Sequence, residues 1–304
     1  MRTSEDALAE IRQRIATHAR PDLGTAIDGL LLSKVDVTGP PDYSLTEPLL
    51  VVMAQGGKRL WLGDRIFEYR AGQCLVVTAN LPVTGDYLDV TADNPSLAMG
   101  LVLRPAAVAA LMLRAPAAPR SAGRETAMAT GTAGTELLDA VARLLRLLDS
   151  PTDRPVLAPL IEQEILWRLL SGPHGAMIRR VGSADSELSH LSVAIGWMRE
   201  HYAEPVRVEE LARMSGMSSS AFHRHFRAVT AMSPLQFQKR IRLQQARSLL
   251  VSRPGDIAGV GHSVGYDSAS QFTREYRRLY GAPPGVDAAR LRDGGQNLGH
   301  PQFL

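Results

Sequence analysis

The chain has 304 residues, of which 45% are hydrophobic and 21% charged, values typical of a soluble protein with about two domains. No apolar run approaches the ~20 residues that cross a bilayer, and a single cysteine excludes a disulfide framework or a multi-cysteine zinc site. The charged opening segment, MRTSEDALAEIRQR, has no signal-type apolar core, so we expect a bacterial cytosolic protein.

The charge is unevenly distributed along the chain. Residues 190–290 carry 14 Lys and Arg against 8 Asp and Glu, a net +6, whereas the whole chain carries only +3. A basic C-terminal third on a slightly acidic remainder indicates a polyanionic partner such as nucleic acid.

The N-terminal half begins with a helix and continues with strands. Within residues 1–20 the helical spacing of Leu8, Ile11 and Ile15 predicts a short amphipathic helix. Residues 45–103 contain short β-rich runs separated by Gly, Asp and Pro turn signals, and LGDRIF predicts a tight hairpin. Such strands are typical of an antiparallel barrel or sandwich.

A turn-rich segment and two leucine-rich helices follow. Residues 115–134 are small and turn-rich, which predicts a loop or mobile linker, and 171–188 read as an interdomain linker. Thr135 is the expected N-cap of the first helix. Both helices either cover the β domain or also form a dimer seam. Their predicted apolar stripes are Leu138, Val141, Leu145 and Leu148, and Leu160, Ile161, Ile165 and Leu169 with Trp167 beside them.

The segment GMSSSAFHRHF (216–226) predicts a helix with two distinct faces. At about 100° per residue, Phe222 and Phe226 point to one side and a polar face lies opposite. His223 is exposed on the polar face, whereas His225 lies toward the apolar side as a packed or edge histidine. Two metal ligands on one helix need a spacing of three or four residues, so this pair cannot share an ion.

A helix-turn-helix pattern surrounds this segment and occurs twice. LARMSG (211–216) supplies the first helix and the glycine turn, and Ser218 the N-cap of the second helix. A second copy follows 50 residues later, which chance rarely produces with both apolar anchors and outward arginines in place. The matched pairs are Phe222 and Phe272, Phe226 and Tyr276, Arg224 and Arg274, Arg227 and Arg277, Ser218 and Ser268, Ser220 and Ser270, Pro234 and Pro284, and, with a one-residue slip, Gly216 and Gly265.

Two such helices can enter successive major grooves of one duplex, ~34 Å apart. The helix IRLQQARSLL (241–250) is the expected rigid spacer, with Lys239, Arg240 and Arg242 near the DNA backbone. The residues expected to face inward on the spacer are Ile241, Ala246, Leu249 and Leu250.

These repeats resemble the AraC/XylS family of bacterial transcription regulators, through residues 211–250 and VGYDSASQFTREYRRLYGAPP (264–284). The resemblance implies a seven-helix domain with two helix-turn-helix units. On the matching positions it implies base reading by Ser220, His223 and Arg224, and by Ser270, Thr273 and Arg274. Gly259 and Gly261 depart from the pattern, and because each glycine costs about 0.5–1 kcal/mol in a helix interior, we expect a less stable or more mobile second unit.

The run EPLLVVMAQGGKRLWLGDRIFEYRAGQCLVVTANLPVTG (47–85) resembles the cupin-like N-terminal regulatory domain of AraC-type proteins. We therefore predict a multidomain α+β protein, with a cupin-like β-barrel or sandwich flanked by helices and an all-α C-terminal domain. The predicted boundaries are 1–175 for the sensor and dimerisation domain, 176–189 for a linker, 190–290 for the DNA-binding domain and 291–304 for a mobile tail.

The predicted function is sequence-specific transcription regulation in response to a small molecule or stress signal. The expected partners are double-stranded promoter DNA, RNA polymerase, a small-molecule effector and a second copy in a homodimer, with no membrane and a nucleoid-associated location. The predicted DNA-binding residues are Ser218, Ser220, His223, Arg224, Arg227, Lys239, Arg240, Ser268, Ser270, Thr273, Arg274 and Arg277.

The predicted effector-binding residues are Met53, Trp61, Phe67, Cys74 and Val76. An apolar ligand wall and a filled core look alike in sequence, so simple core packing is the alternative for this set. For Cys74 the alternatives are a buried small apolar residue and a sensing thiol, which needs a lowered pKa and solvent access.

The competing hypotheses are a cupin-type enzyme fused to a DNA-binding domain, a DNA-repair alkyl acceptor and an architectural DNA binder. Residues 19–173 contain no histidine, which argues against a cupin metal centre, and one cysteine cannot build the zinc module of an alkyl acceptor. We predict no metal and no cofactor. A metal site made of carboxylates alone stays an alternative, and its candidate ligands are Glu47, Asp64, Glu68 and Asp86.

Overall fold

The computed structural model describes residues 3–39, 41–115, 126–183 and 187–293, and the chain divides into two compact units. The first unit is built mainly from the residues up to His190 and combines two antiparallel sheets with helices. The second is built from most of the following residues and, where it is described, its regular elements are helices. The predicted α+β class, with a sandwich-like N-terminal part and a helical C-terminal part, is confirmed.

The strands of the first unit form a five-stranded and a four-stranded sheet. They are β1 (Leu30–Val35), β2 (Asp42–Leu45), β3 (Leu49–Gln55), β4 (Gly57–Leu62), β5 (Arg65–Arg70), β6 (Gln73–Val77), β7 (Pro82–Leu88), β8 (Ser96–Val102) and β9 (Met128–Thr132). The strand orders are β1-β8-β3-β6-β9 and β2-β7-β4-β5. The predicted hairpin joins β4 to β5, with Leu62 opposite Arg65 and Gly63 at a φ of 61° that suits glycine.

The five-stranded sheet is buried on both faces. Leu50 pairs with Val76 and Val52 with Cys74, so these side chains share the face that packs against the helices. Met53, one residue further along β3, lies on the opposite face and is also buried. This double burial explains why β3 and β6 are continuous apolar runs without a polar alternation.

Five helices accompany the sheets in the described part of the first unit. They are α1 (Ser4–His18), α2 (Pro105–Met112), α3 (Thr135–Arg146), α4 (Arg154–Ser171) and α5 (Gly175–Gly182). Thr3 and Asp6 form a capping box at the start of α1, and the predicted apolar residues Ile11 and Ile15 are buried in the core.

The structure corrects two predictions for the leucine-rich helices. Gly134, not Thr135, is the N-cap of α3, and the Thr135 hydroxyl instead hydrogen-bonds the Ser4 hydroxyl at 2.6 Å. On α4, Ile165 and Leu169 are buried as predicted, but Leu160 is 59% exposed. The stripe fails at Leu160 because the side of α4 that packs into the core is the one that carries Ala158, Ile165 and Leu169, and Leu160 lies off that side.

The two segments predicted as irregular contain regular structure. Within 115–134, residues 128–132 form β9, which pairs with β6, while 116–125 lie outside the described residues. Within 171–188, α5 buries Met177 and Ile178 in the helical core, so most of the predicted linker 176–189 is helix instead. The domain boundaries themselves stay a prediction.

Over residues 187–293, the described part of the C-terminal region, the chain forms seven helices, the number that the resemblance implies. They are α6 (Glu187–Glu200), α7 (Val208–Met214), α8 (Ser219–Thr230), α9 (Pro234–Ser252), α10 (Ile257–Ser263), α11 (Ala269–Tyr280) and α12 (Pro284–Asp293). On the spacer α9, the predicted residues Ile241, Ala246 and Leu250 are buried, whereas Leu249 is half-buried. Of the predicted tail, residues 291–293 belong to α12 and 294–304 lie outside the described residues.

Candidate nucleic-acid interface

The two helix-turn-helix segments share the same turn. The chain leaves α7 through Gly216 at φ 63° and α10 through Gly265 at φ 89°. Met217 N–H donates to the Ala212 carbonyl, and Tyr266 N–H donates to the Gly261 carbonyl, which gives both turns the 6→1 bond of a Schellman motif. The second turn is one residue longer before its capping serine, and this explains the slip between the repeats.

Serine hydroxyls cap both candidate recognition helices. Ser218 Oγ accepts from Ala221 N–H at 3.3 Å, and Ser268 Oγ accepts from Gln271 N–H at 3.4 Å. Capping stabilises the helix start and fixes where the first exposed side chains lie. Each hydroxyl keeps its own O–H as a donor, so DNA binding by the two serines stays a prediction.

The recognition helices α8 and α11 present matching faces. Phe222, Phe226, Phe272 and Tyr276 are all 0% exposed and anchor the two helices. The residues that are exposed on the opposite faces are Ser220, His223, Arg224 and Arg227 on α8, and Ser270, Arg274 and Arg277 on α11. Thr273, the remaining predicted base-contacting residue on α11, is half-buried at the edge of this face, as expected.

His225 differs from its neighbour His223 in its surroundings. It is only 8% exposed, and its Nε2 lies 3.1 Å from Nη2 of Arg224. For the guanidinium to donate this bond, Nε2 must be the acceptor nitrogen of the ring. His225 is therefore a packed residue beside the exposed reading face.

The outward side of α11 lines an open concavity of about 770 Å³. Its lining consists of Ala269, Ser270, Thr273, Arg274, Arg277 and Arg278. Arg278 was missed by the sequence analysis because its repeat partner, Ala228, carries no charge. Arg278 follows Arg274 by four residues, and this helical spacing is the signal that places both arginines on the same side of α11.

The cations of the spacer helix α9 have partners within the protein, and their predicted position near the DNA backbone stays a prediction. Lys239 Nζ lies 2.8 Å from Glu275 Oε1, and the Tyr266 hydroxyl donates to Glu275 Oε2 at 3.0 Å. Burial raises the pKa of Glu275, but the bonds from Lys239 and Tyr266 outweigh it and leave the pKa below its ordinary value. Arg240 is half-buried.

Arg242 ties three segments of the second unit together. Its guanidinium donates to the carbonyls of Tyr202 and Gly265 at 2.7 Å and to those of Ala203 and Glu204 at 3.0 Å. The Arg242 guanidinium thus holds the protein backbone together, and its predicted position near the DNA backbone stays a prediction.

An ionic network replaces part of the aromatic core in the second repeat. In the first repeat, Phe226 and Phe237 pack with ring centroids 5.3 Å apart. Fifty residues on, these positions hold Tyr276 and Asp287, and the Tyr276 hydroxyl donates to Asp287 Oδ2 at 2.7 Å. Arg247 completes the network with two bonds to Asp287, of 2.8 and 3.2 Å.

The two glycines of α10 have identifiable roles. Gly259 N–H donates to the N-cap Asp256 at 2.9 Å, and a Cβ there would lie 2.4 Å from the Asp256 carboxylate. A Cβ at Gly261 would lie 3.0 Å from Phe272 Cδ1, so glycine lets α10 approach α11 closely. The expected lower stability of this unit stays a prediction.

The predicted effector-binding residues do not line one cavity. Cys74 and Val76 face the helical core, whereas Met53 lies on the other face of the same sheet. In the four-stranded sheet, Phe67 pairs with the buried Leu60 on the inner face. Trp61 sits on the outer face of that sheet, opposite the exposed Ile66.

We expect the thiol of Cys74 to be protected from modification in the folded protein. Cys74 is 1% exposed, and burial raises its pKa to about 11, so the thiolate that reacts is scarce at pH 8. Labelling of Cys74 by iodoacetamide, followed by mass spectrometry, should be slow in buffer and fast in about 6 M guanidinium. That concentration of denaturant is enough to unfold most proteins. Equal labelling in both conditions would restore the sensing-thiol hypothesis.

The carboxylates considered for a metal site are dispersed. Glu68 pairs with Arg59 at 2.9 Å and with Arg70 at 3.0 Å, and these bonds lower its pKa. Within the described ranges, no group of three or more His, Cys, Asp or Glu side chains is gathered in a way that could hold a metal ion. Over the same ranges, no helix is long and apolar enough to cross a membrane.

Both halves of the chain match known family models. Residues 26–177 match a model described as the N-terminus of AraC-type transcriptional regulators, and residues 211–290 match a helix-turn-helix domain model.

Curated relatives include transcription regulators from two bacteria. The chain is 27% identical over 149 residues to the HTH-type transcriptional activator RhaS of Escherichia fergusonii, covering 48% of this chain and 52% of that one. It is 31% identical over 115 residues to the MmsAB operon regulatory protein of Pseudomonas aeruginosa, covering 38% of this chain and 36% of that one. The chain thus spans about half or less of the length of these relatives.

Among solved structures, the fold resembles ToxT of Vibrio cholerae. One ToxT crystal structure matches with a TM-score of 0.54 at 7% identity, covering 86% of this chain and 97% of that one. A structure of wild-type ToxT bound to an unsaturated fatty acid matches with a TM-score of 0.53 at 10% identity, covering 86% and 95%. At such identities the likeness concerns the fold.

Proposed function

The chain belongs to the family of AraC-type transcriptional regulators, and we propose that it reads promoter DNA through α8 and α11. The observation that carries this proposal is the duplicated geometry. Two glycine turns with the same Schellman bond lead into two serine-capped helices, each anchored by buried aromatic rings and each exposing an arginine-bearing face. Successive major grooves of a duplex offer two equivalent sites, ~34 Å apart.

The exposed side chains suggest a division of roles. Arg224 and Arg274 occupy equivalent positions and can each bond bidentately to guanine. Arg227, Arg277 and Arg278 lie further along the helices and suit phosphate contacts. The further base or phosphate contacts that we propose are Ser218, Ser220, His223, Lys239, Arg240, Ser268, Ser270 and Thr273.

Substitution of Arg224 by alanine should weaken specific DNA binding by about 1–3 kcal/mol and relax one base position of the operator. Arg274→Ala should do the same at the equivalent position of the other half-site, while Arg20→Ala, an exposed arginine of the first unit, should change neither. The measurement is fluorescence anisotropy with operator variants at fixed salt. An equal loss on every DNA sequence would make Arg224 a phosphate contact rather than a base reader.

The competing functions lose support. AraC-type regulators are not enzymes, and neither the matches nor the geometry favours the cupin-type enzyme or the alkyl acceptor. The different exposed side chains of the two repeats, such as His223 against Thr273, favour sequence-specific reading over an architectural role.

We further propose a small-molecule effector for the first unit, a homodimer, RNA polymerase as a partner, and a cytosolic, nucleoid-associated location. The N-terminal family match supports the regulatory role of the first unit. The dimer is supported by an exposed apolar stripe on α4, where Val156 is 66%, Leu157 41% and Leu160 59% exposed.

A further inference from the structure

In both repeats, the residue that follows the proposed base-reading arginine is polar and buried. His225 follows Arg224 and Glu275 follows Arg274, and the side chains of His225 and Glu275 belong to residues that are each 8% exposed. Burial of a polar side chain costs free energy unless the side chain is hydrogen-bonded. The hydrogen bonds of these two residues therefore show what each position contributes.

His225 hydrogen-bonds the arginine that precedes it. Nη2 of Arg224 lies 3.1 Å from Nε2 of His225. A guanidinium has no acceptor, so Arg224 donates this bond and Nε2 accepts it. Because a guanidinium has five N–H groups, the two that a guanine base takes remain after this bond. The bond can therefore persist while Arg224 contacts a base.

Packing fixes the position of the His225 ring. The rings of Phe222 and Phe226 anchor α8 with centroids 5.3 Å apart, and Phe226 packs on Phe237 at the same distance. His225 is buried next to Phe226, and close packing leaves its ring few rotamers. Arg224 is exposed, and the rotamer freedom that an exposed arginine loses on binding opposes association. A fixed acceptor reduces this loss before DNA binds.

The buried polar residue of the second repeat has different partners. Glu275 Oε1 lies 2.8 Å from Lys239 Nζ, and Glu275 Oε2 accepts from the Tyr266 hydroxyl at 3.0 Å. These bonds join α11 to α9 and to the turn that precedes α11. Among the described residues, the Glu275 carboxylate is thus held by groups other than Arg274.

We propose that His225 is a positioning residue for Arg224 and increases the preference of the protein for one base of the first half-site. His225 acts through the guanidinium of Arg224, which it holds in one orientation before binding, and not by its own contact with DNA. Since Glu275 has other partners, the base that Arg274 reads is independent of His225. The inference rests on the proposed function and names a specificity-determining residue within it.

The test is selection from a library of randomised duplexes by the full-length protein, followed by sequencing. It yields the base preference at each operator position without an operator that is known beforehand. His225→Leu keeps apolar bulk but has no acceptor, whereas His225→Gln keeps an acceptor near the position of Nε2. His262→Leu changes an exposed histidine of α10 and is the matched control.

We expect His225→Leu to lower the preference for the base that Arg224 reads by about 3- to 10-fold, the cost of ordering one arginine side chain. The preference at the base that Arg274 reads should not change. His225→Gln should retain most of the preference at the first base, and His262→Leu all of it.

Arg224→Ala identifies the base in question and provides the background for a coupling measurement. In that background His225→Leu should change the base preference no further, because the side chain that it positions is gone. An unchanged preference in His225→Leu, an equal loss at both half-sites, or an equal loss in His225→Gln would each overturn the proposal. If Arg224→Ala relaxes one base and His225→Leu does not, the positioning role alone fails, whereas no sequence selection by the wild type would overturn the proposed function as well.

Discussion

Asp287→Ala should destabilise the second helix-turn-helix unit by about 3–5 kcal/mol, because it removes the counter-ion of a buried arginine. The side chains of Arg247 and Asp287 are only 6% and 10% exposed and share two hydrogen bonds. The substitution also takes away the acceptor of the Tyr276 hydroxyl, whose pKa burial and Asp287 raise strongly. Both losses leave polar groups in a site that water does not reach.

Hydrogen exchange measured by mass spectrometry is the appropriate assay, because it resolves α9, α11 and α12 from the rest of the chain. In Asp287→Ala these helices should lose protection while the strands of the first unit keep theirs. The triple variant Arg247→Met, Tyr276→Phe and Asp287→Leu removes both charges and the hydroxyl that would lose its acceptor. It should return the stability of these helices to within about 1.5 kcal/mol of the wild type. Unchanged protection in Asp287→Ala would show that the network contributes nothing.

Gly265→Ala should lower the free energy of unfolding by about 2–5 kcal/mol. This value combines about 1–2 kcal/mol of left-handed backbone strain with about 1–3 kcal/mol of overpacking. Gly265 has a φ of 89°, and a Cβ there would lie 2.2 Å from the Ala203 carbonyl oxygen and 2.8 Å from Cζ of Arg242. The new methyl group would thus separate the turn from the guanidinium that holds it.

Gly216 provides the matched control for this substitution. It occupies the equivalent turn at φ 63°, and nothing lies within 4 Å of the position of its Cβ. Gly216→Ala should therefore lower the free energy of unfolding only by the backbone strain, about 1–2 kcal/mol. Urea unfolding followed by circular dichroism compares the two variants, and equal midpoints would contradict the steric explanation.

The sequence predicted the parts of the fold that depend on short-range patterns. The repeated turns and the faces of α8 and α11 follow from helical spacing alone, and β3 to β6 follow from apolar runs between turn signals. The strand β9 was missed because MATGT has no apolar run and becomes a strand only through pairing with β6. The helix α5 was missed because glycine and serine flank its short apolar core.

The candidate site was predictable where one helix defines it and not where helices meet. Periodicity placed Lys239 and Arg242 on a polar side of α9, but it could not show that Glu275 and the carbonyls of 202–204 face them. The burial of Lys58 was missed for the same reason. Lys58 is a polar residue in a half-polar strand, and only the pairing of β4 with β5 and β7 places it between tyrosines.

The central claim is that both recognition helices read one duplex. Selection of fragmented genomic DNA by the purified protein, near physiological salt and with excess competitor, tests it directly, since affinity depends steeply on salt. The account predicts enrichment of a few promoter-proximal sites that each contain two motifs about one helical turn apart, with one motif lost in Arg224→Ala and the other in Arg274→Ala. Enriched sites with a single motif, unaffected by Arg274→Ala, would contradict it.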